Sequence, residues 1–236
     1  MPTEGYSTSQ WLVSVPPAKI WKVTSQGAVN LDFLVELLPA QAVQRLSSKG
    51  VPFAEECVID SHGLHGFGRA LALLQKAPSL AATVSLLAKS VHILETSEPG
   101  FDVSYSDPSI PFSVFLNISE GRFANLRTAE ALVHEAMHLQ LSLIERLVPI
   151  AKADEGLHYS PWKRSQRPVS GLMHALYVFR VIDQWLAQLS QSFDEANEYA
   201  NKRRKEISEE IEQLAPASFA DYLTVKGQQL LTRLLA

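Results

Sequence analysis

The sequence predicts a mostly α-helical chain with a small antiparallel β element, an α+β class. Three observations carry that reading. Apolar residues recur at helical spacing through most of the second half of the chain. A single stretch, Val91–Ile118, changes to β-branched and aromatic residues in short alternating runs. The 236 residues are 46% hydrophobic and 19% charged, enough to bury a sizeable core. No low-complexity linker divides them, so one domain spanning 1–236 is the simplest organisation.

Taken in order, residues 31–48 read as a helix, with Leu31, Phe33, Leu34, Leu37 and Leu38 giving one apolar side. Gly63–Ala77 and Ser79–Lys89 are rich in alanine and leucine and read as two helices broken near Pro78. Val91–Leu94 reads as a short strand. Asp102–Tyr105 alternates and Phe112–Ile118 is β-branched and aromatic, a two-strand unit with an irregular connection through Pro108 and Pro111. A long helix follows from about Leu126 to Leu147. A second begins near Pro168, a residue tolerated in a first helical turn, and carries Leu172, Met173, Leu176, Phe179, Ile182, Leu186 and Leu189. Residues 193–214 are charged, with Lys202–Glu206 and Lys205–Glu209 at helical spacing, and read as a solvated helix. A final helix covers roughly Asp221–Leu235. The charged helical C-terminal region thus spans about 193–236.

Composition excludes several classes. The formal charge is −4, from 21 basic and 25 acidic residues, which argues against a broad cationic surface for nucleic acid. A lone cysteine, Cys57, excludes a disulfide scaffold and a cysteine-based zinc cluster. Nowhere do about 18 apolar residues run together, so no membrane span is expected. Met1-Pro2-Thr3-Glu4-Gly5 lacks the pattern of a secretory signal, and a reducing, cytoplasmic setting is expected.

The chemistry concentrates in His134-Glu135-Ala136-Met137-His138. Residues four apart share one helical face, so both imidazoles can reach one ion. Glu135 beside them is the candidate catalytic carboxylate; in a zinc peptidase it would polarise a metal-bound water. The metzincin extension is excluded, because Leu141 and Ile144 stand where it needs glycine and histidine. Glu145 lies seven residues beyond His138, about 10 Å of helical rise, too far to join both histidines on one ion, so it either supports a ligand from behind or packs at the helix end. For a third ligand, His174 on the second long helix is preferred over His158 and Glu155, since two helices can pack face to face around the site. Arg167 precedes the free N–H groups of that second helix, where a guanidinium favours a carboxylate or phosphate. It could hold the distal end of a small dicarboxylate, or simply cap the helix. Tyr105, Trp162 and Tyr177 are candidate pocket walls. The metal-site core spans about 102–190.

The stretch from His134 to Leu141 resembles the HEXXH-motif peptide-modification proteins of ribosomal peptide natural-product clusters. So do His158-Tyr159-Ser160-Pro161-Trp162-Lys163, Arg167-Pro168, and Gly171 to Phe179. Asp102 to Pro108 and Ile110 to Ser113 are similar to it as well. The resemblance covers about residues 102–185. That family is identified with α-ketoglutarate-dependent HExxH-type peptide β-hydroxylases. The resemblance implies a non-haem Fe(II) dioxygenase that consumes O₂ and 2-oxoglutarate and hydroxylates a β-carbon, with Asp-type residues a target class, in a precursor peptide. By the same resemblance His134, His138 and His174 would hold iron and Arg167 would clamp 2-oxoglutarate. Glu135 would then orient a ligand or the substrate and not act as a base. A zinc-dependent HExxH peptidase and a peptide-binding scaffold with a degenerate site are the competing readings, because imidazole suits zinc and iron alike. A peptide substrate could add as a strand to an exposed edge within Asp102–Ile118.

Overall fold

Leu31, Phe33 and Val35 are fully buried while Asp32 and Leu34 between them face solvent. That period of two defines a strand. Leu31–Leu37 is therefore β2, not the start of the helix expected over 31–48. The rest of that expected helix falls mostly outside the described residues. The computed structural model describes residues 19–37, 44, 46–48, 61–94, 101–108, 110–153, 156–190 and 194–236. The chain is mixed α and β and divides between Leu139 and Gln140 into two compact units.

The first unit is built on a five-stranded sheet in the order β1-β2-β3-β5-β4, mixed in direction where a small antiparallel element was expected; β3, β4 and β5 fall on the three expected strand stretches. β1 (Lys19–Ser25) and β2 form an antiparallel hairpin. β2 then pairs in parallel with β3 (Ser90–Ile93), and β3 in parallel with β5 (Ser113–Leu116). A parallel step needs a long crossover. Between β2 and β3 it contains α1 (Ser61–Leu74) and α2 (Pro78–Leu87). Their break lies at Pro78, as expected; this proline opens α2, where its missing N–H removes no helical bond. Phe67 of α1 meets Phe33 of β2 edge to face, with ring centroids 6.0 Å apart. β4 (Ser104–Ser106) pairs antiparallel with β5 and forms the sheet's edge.

α3 (Ala124–Leu147) begins after Gly121 and Phe123, both at positive φ (75° and 62°). Its first four turns belong to this unit, and Leu126, Ala129, Leu132, Val133, Ala136 and Met137 are buried. Asp102, just before β4, accepts from Arg127 Nε at 2.6 Å and from Ser119 Oγ at 2.7 Å. Asn117 Oδ1 accepts from the Val103 N–H at 2.7 Å. The edge strand is thus tied to the start of α3 and to the end of β5.

The second unit takes the C-terminal part of α3, a hairpin and three helices. β6 (Leu157–Ser160) and β7 (Ser165–Pro168) are antiparallel partners. α4 (Val169–Leu189) buries Leu172, Met173, Leu176, Ile182, Trp185 and Leu186. α5 (Asp194–Glu212) is charged but not wholly solvated: Ala196, Ala200 and Ile207 are buried. Arg204 of α5 bonds Asp183 of α4 at 2.7 Å. The expected pair Lys205–Glu209 forms at 3.7 Å, at an exposed position where such a pair stabilises by only a few tenths of a kcal/mol. α6 runs Val225–Leu235. It starts later than the expected Asp221, because Ala220–Tyr222 turn as a 3₁₀ segment and Thr224 caps the helix, its Oγ1 accepting from the Gly227 N–H at 3.1 Å. Among the described residues no helix is long and apolar enough to cross a membrane.

Candidate metal centre

α3 carries His134, Glu135 and His138 in its third and fourth turns. The four-residue spacing places both imidazoles on one face. Their Nε2 atoms lie 3.2 Å apart. Two nitrogens each about 2.1 Å from one ion would stand about 3.0 Å apart in octahedral and about 3.4 Å apart in tetrahedral geometry. The separation therefore admits one transition-metal ion, without selecting between the two geometries, and equally a hydrogen bond from one ring to the other. Both histidines are partly exposed, with 27% of the His134 side chain accessible.

Glu135 is buried, 4% exposed, and turns toward the sheet. Ser104 Oγ donates to its Oε1 and Ser106 Oγ to its Oε2, each at 2.6 Å. Oε1 is also 4.0 Å from His134 Nε2. The residue between the serines, Tyr105, points to the other side of β4, where its ring lies 5.9 Å from that of Phe115. Its hydroxyl donates to Asp107 at 3.1 Å. Burial first, then the charges of Asp107 and Glu135, push its phenol up to about 12. Tyr105 is thus a packed donor on the far face of the edge strand and does not share a face with the serines.

In the second unit, His174 lies in the second turn of α4 with Nε2 2.8 Å from Glu145 Oε2, an ion pair when the imidazole is protonated. One turn further on, Tyr177 donates to Gln140 Oε1 at 2.5 Å, and burial raises its phenol. Arg167 sits on β7, exposed, one residue before the helix-capping Pro168 and opposite His158 in the hairpin register. His158 packs its ring edge-on against Tyr222 (5.1 Å) and Phe219 (6.0 Å). Trp162, in the hairpin turn, stacks on Phe179 at 5.5 Å. Glu155 lies outside the described residues.

The structure thus brings together His134 and His138 and sets Glu135 beside them. Among the described residues, no group of three or more His, Cys, Asp or Glu side chains gathers as if to hold an ion. The serine pair on Glu135 was not singled out from sequence, although its signal is plain: Ser-Tyr-Ser on a strand puts two hydroxyls on one face. The Glu145 bond to His174 was missed for a different reason, since it joins residues 29 apart on two helices and local spacing names no partner for Glu145. The chain matches no protein-family model and no curated protein sequence.

Proposed function

We propose that this chain is a non-haem Fe(II)/2-oxoglutarate-dependent dioxygenase that hydroxylates a β-carbon in a ribosomally made precursor peptide, with Asp-type residues one target class. The observation that carries it is the imidazole pair of His134 and His138, whose 3.2 Å nitrogen separation fits one ion, within a motif set resembling that hydroxylase family. His134 and His138 would hold the iron. His174 is the third ligand that the resemblance implies, and removing it is the direct test. Arg167 would bind the distal carboxylate of 2-oxoglutarate through its guanidinium fork. When bound, iron and 2-oxoglutarate supply the oxidising power that places one atom of O₂ in the C–H bond, with succinate and CO₂ released.

The protein's own residues would do the positioning. Partial exposure of the two histidines leaves room for a co-substrate. Glu135, held by two hydroxyls, is set to orient its surroundings and not to accept a proton from water. Among the described residues β4 is an edge strand, and an extended peptide could pair along its outer side. The lone cysteine and the need for ferrous iron both suit a reducing cytoplasm.

The test is a mass measurement. Protein purified without oxygen is incubated with Fe(II), 2-oxoglutarate, O₂ and a precursor peptide. A gain of one oxygen is expected, with Arg167→Ala requiring at least tenfold more 2-oxoglutarate, the loss of about 1.4 kcal/mol or more of binding. Backbone cleavage in place of oxygen gain would favour the zinc peptidase, and peptide binding without turnover under every metal would favour the scaffold.

A further inference from the structure

Ser104 and Ser106 are alternate residues of β4, so their side chains leave the strand on the same face. Each hydroxyl reaches a different oxygen of one carboxylate, and each bond is 2.6 Å, within the short range of charge-assisted O–H···O bonds. The acceptor, Glu135, is 4% exposed. The strand is also tied further back, because Asp102 bonds Arg127 in the first turn of α3. The edge of the sheet is therefore attached to the histidine helix twice, once at the start of that helix and once beside His134. A general base must lie within hydrogen-bond reach of the proton it takes and be able to turn to it. This carboxylate instead spans two hydroxyls on a neighbouring strand.

The geometry points to a strap: Ser104 and Ser106 are positioning residues that turn Glu135 toward β4, so that Glu135 fastens the edge strand to the histidine helix in place of acting as a base. The strap deepens the oxygenase reading and rests on it for what the site does. Its bonds are testable without metal or substrate. The amide of Glu135→Gln can preserve the strap, accepting from one serine with its oxygen and donating to the other with its nitrogen. Alanine can preserve neither bond.

The experiment compares metal-free unfolding midpoints of wild type, E135Q, E135A, S104A/S106A and the triple variant E135A/S104A/S106A, with Co(II) affinity read by absorbance in parallel. E135Q is expected to stay near wild type. E135A and S104A/S106A are each expected to lower the midpoint on the order of 5 °C, and the triple variant to fall no further than E135A, because both changes remove the same bonds. Co(II) affinity should weaken in E135A and S104A/S106A together. Additive losses in the triple variant, or an E135Q midpoint as low as that of E135A, would overturn the strap. So would cleavage of the precursor peptide by the zinc-loaded wild type that E135Q abolishes. If the double serine variant does not fold, the single variants S104A and S106A complete the same cycle. Non-additive midpoints with no oxygen insertion by wild type would leave the strap standing and reject the oxygenase.

Discussion

Glu135 and His92 are both buried polar side chains near the same sheet, yet their polar atoms are treated in opposite ways. Glu135 has a hydroxyl on each oxygen. His92, on β3, is fully buried, and among the described residues neither ring nitrogen is hydrogen-bonded. Its Nδ1 is 3.9 Å from Glu36 Oε2, too long for a hydrogen bond, and its ring stacks on Phe115 at 4.7 Å. Burial lowers His92 from 6.5 to about 4, so the folded protein holds it neutral. The unfolded chain takes up that proton at a higher pH, so this contribution is complete above about pH 6.5 and is lost as pH falls toward about 4. Burial raises Glu36, which works in the opposite sense by gaining stability as pH falls. Comparing wild type with His92→Phe, which keeps the aromatic stack, isolates the histidine. Between pH 7 and pH 5 wild type should lose about 2 kcal/mol that the variant does not lose, read by denaturant unfolding. Equal losses in both proteins would contradict a buried neutral His92. At this scale the histidine pair was legible, because i,i+4 spacing on a helix fixes a shared face whatever surrounds it. The hydrogen-bond partners were not, because they join positions about 30 apart in the sequence.

Among the elements, the long helices were readable because each repeats its apolar period over many turns. α3, α4 and α5 begin and end within a few residues of expectation. β2 was misread for a specific reason. Leu31, Leu34, Leu37 and Leu38 satisfy a helical template, while Leu31, Phe33 and Val35 satisfy a strand, and only pairing with β1 and β3 decides between them. The β6–β7 hairpin was hidden because β7, Ser165-Gln166-Arg167-Pro168, is polar and exposed throughout. α6 depends on a small residue at one contact: a Cβ built on Gly227 would overlap the Ile150 carbonyl oxygen. That carbonyl accepts from the Thr224 N–H at 2.9 Å, so it is not free to move away. Gly227→Ala should therefore cost about 1–3 kcal/mol in denaturant unfolding. An unchanged unfolding midpoint would show that the helix and the Ile150 backbone do not approach so closely.

At the scale of the whole molecule, the chain comprises two compact units with α3 continuous across their division. The expectation of a small β element lacked two strands of the five-stranded sheet, β1 and β2, because their hairpin joins the expected strand β3 only through a long crossover that local patterns do not reveal. The paired histidines and Glu135 belong to the first unit, and Glu145, Arg167 and His174 to the second. In the proposed function the imidazole pair of α3 would hold ferrous iron together with 2-oxoglutarate. That binding is tested most directly by titrating Fe(II) and then 2-oxoglutarate into oxygen-free protein while recording the visible spectrum and the iron content. One iron per chain is expected, with a charge-transfer band that appears only when both are present. The band should be lost in H134A/H138A and weakened in H174A. Iron that binds equally well to H134A/H138A, or no band with wild type under any ratio of iron to 2-oxoglutarate, would contradict it.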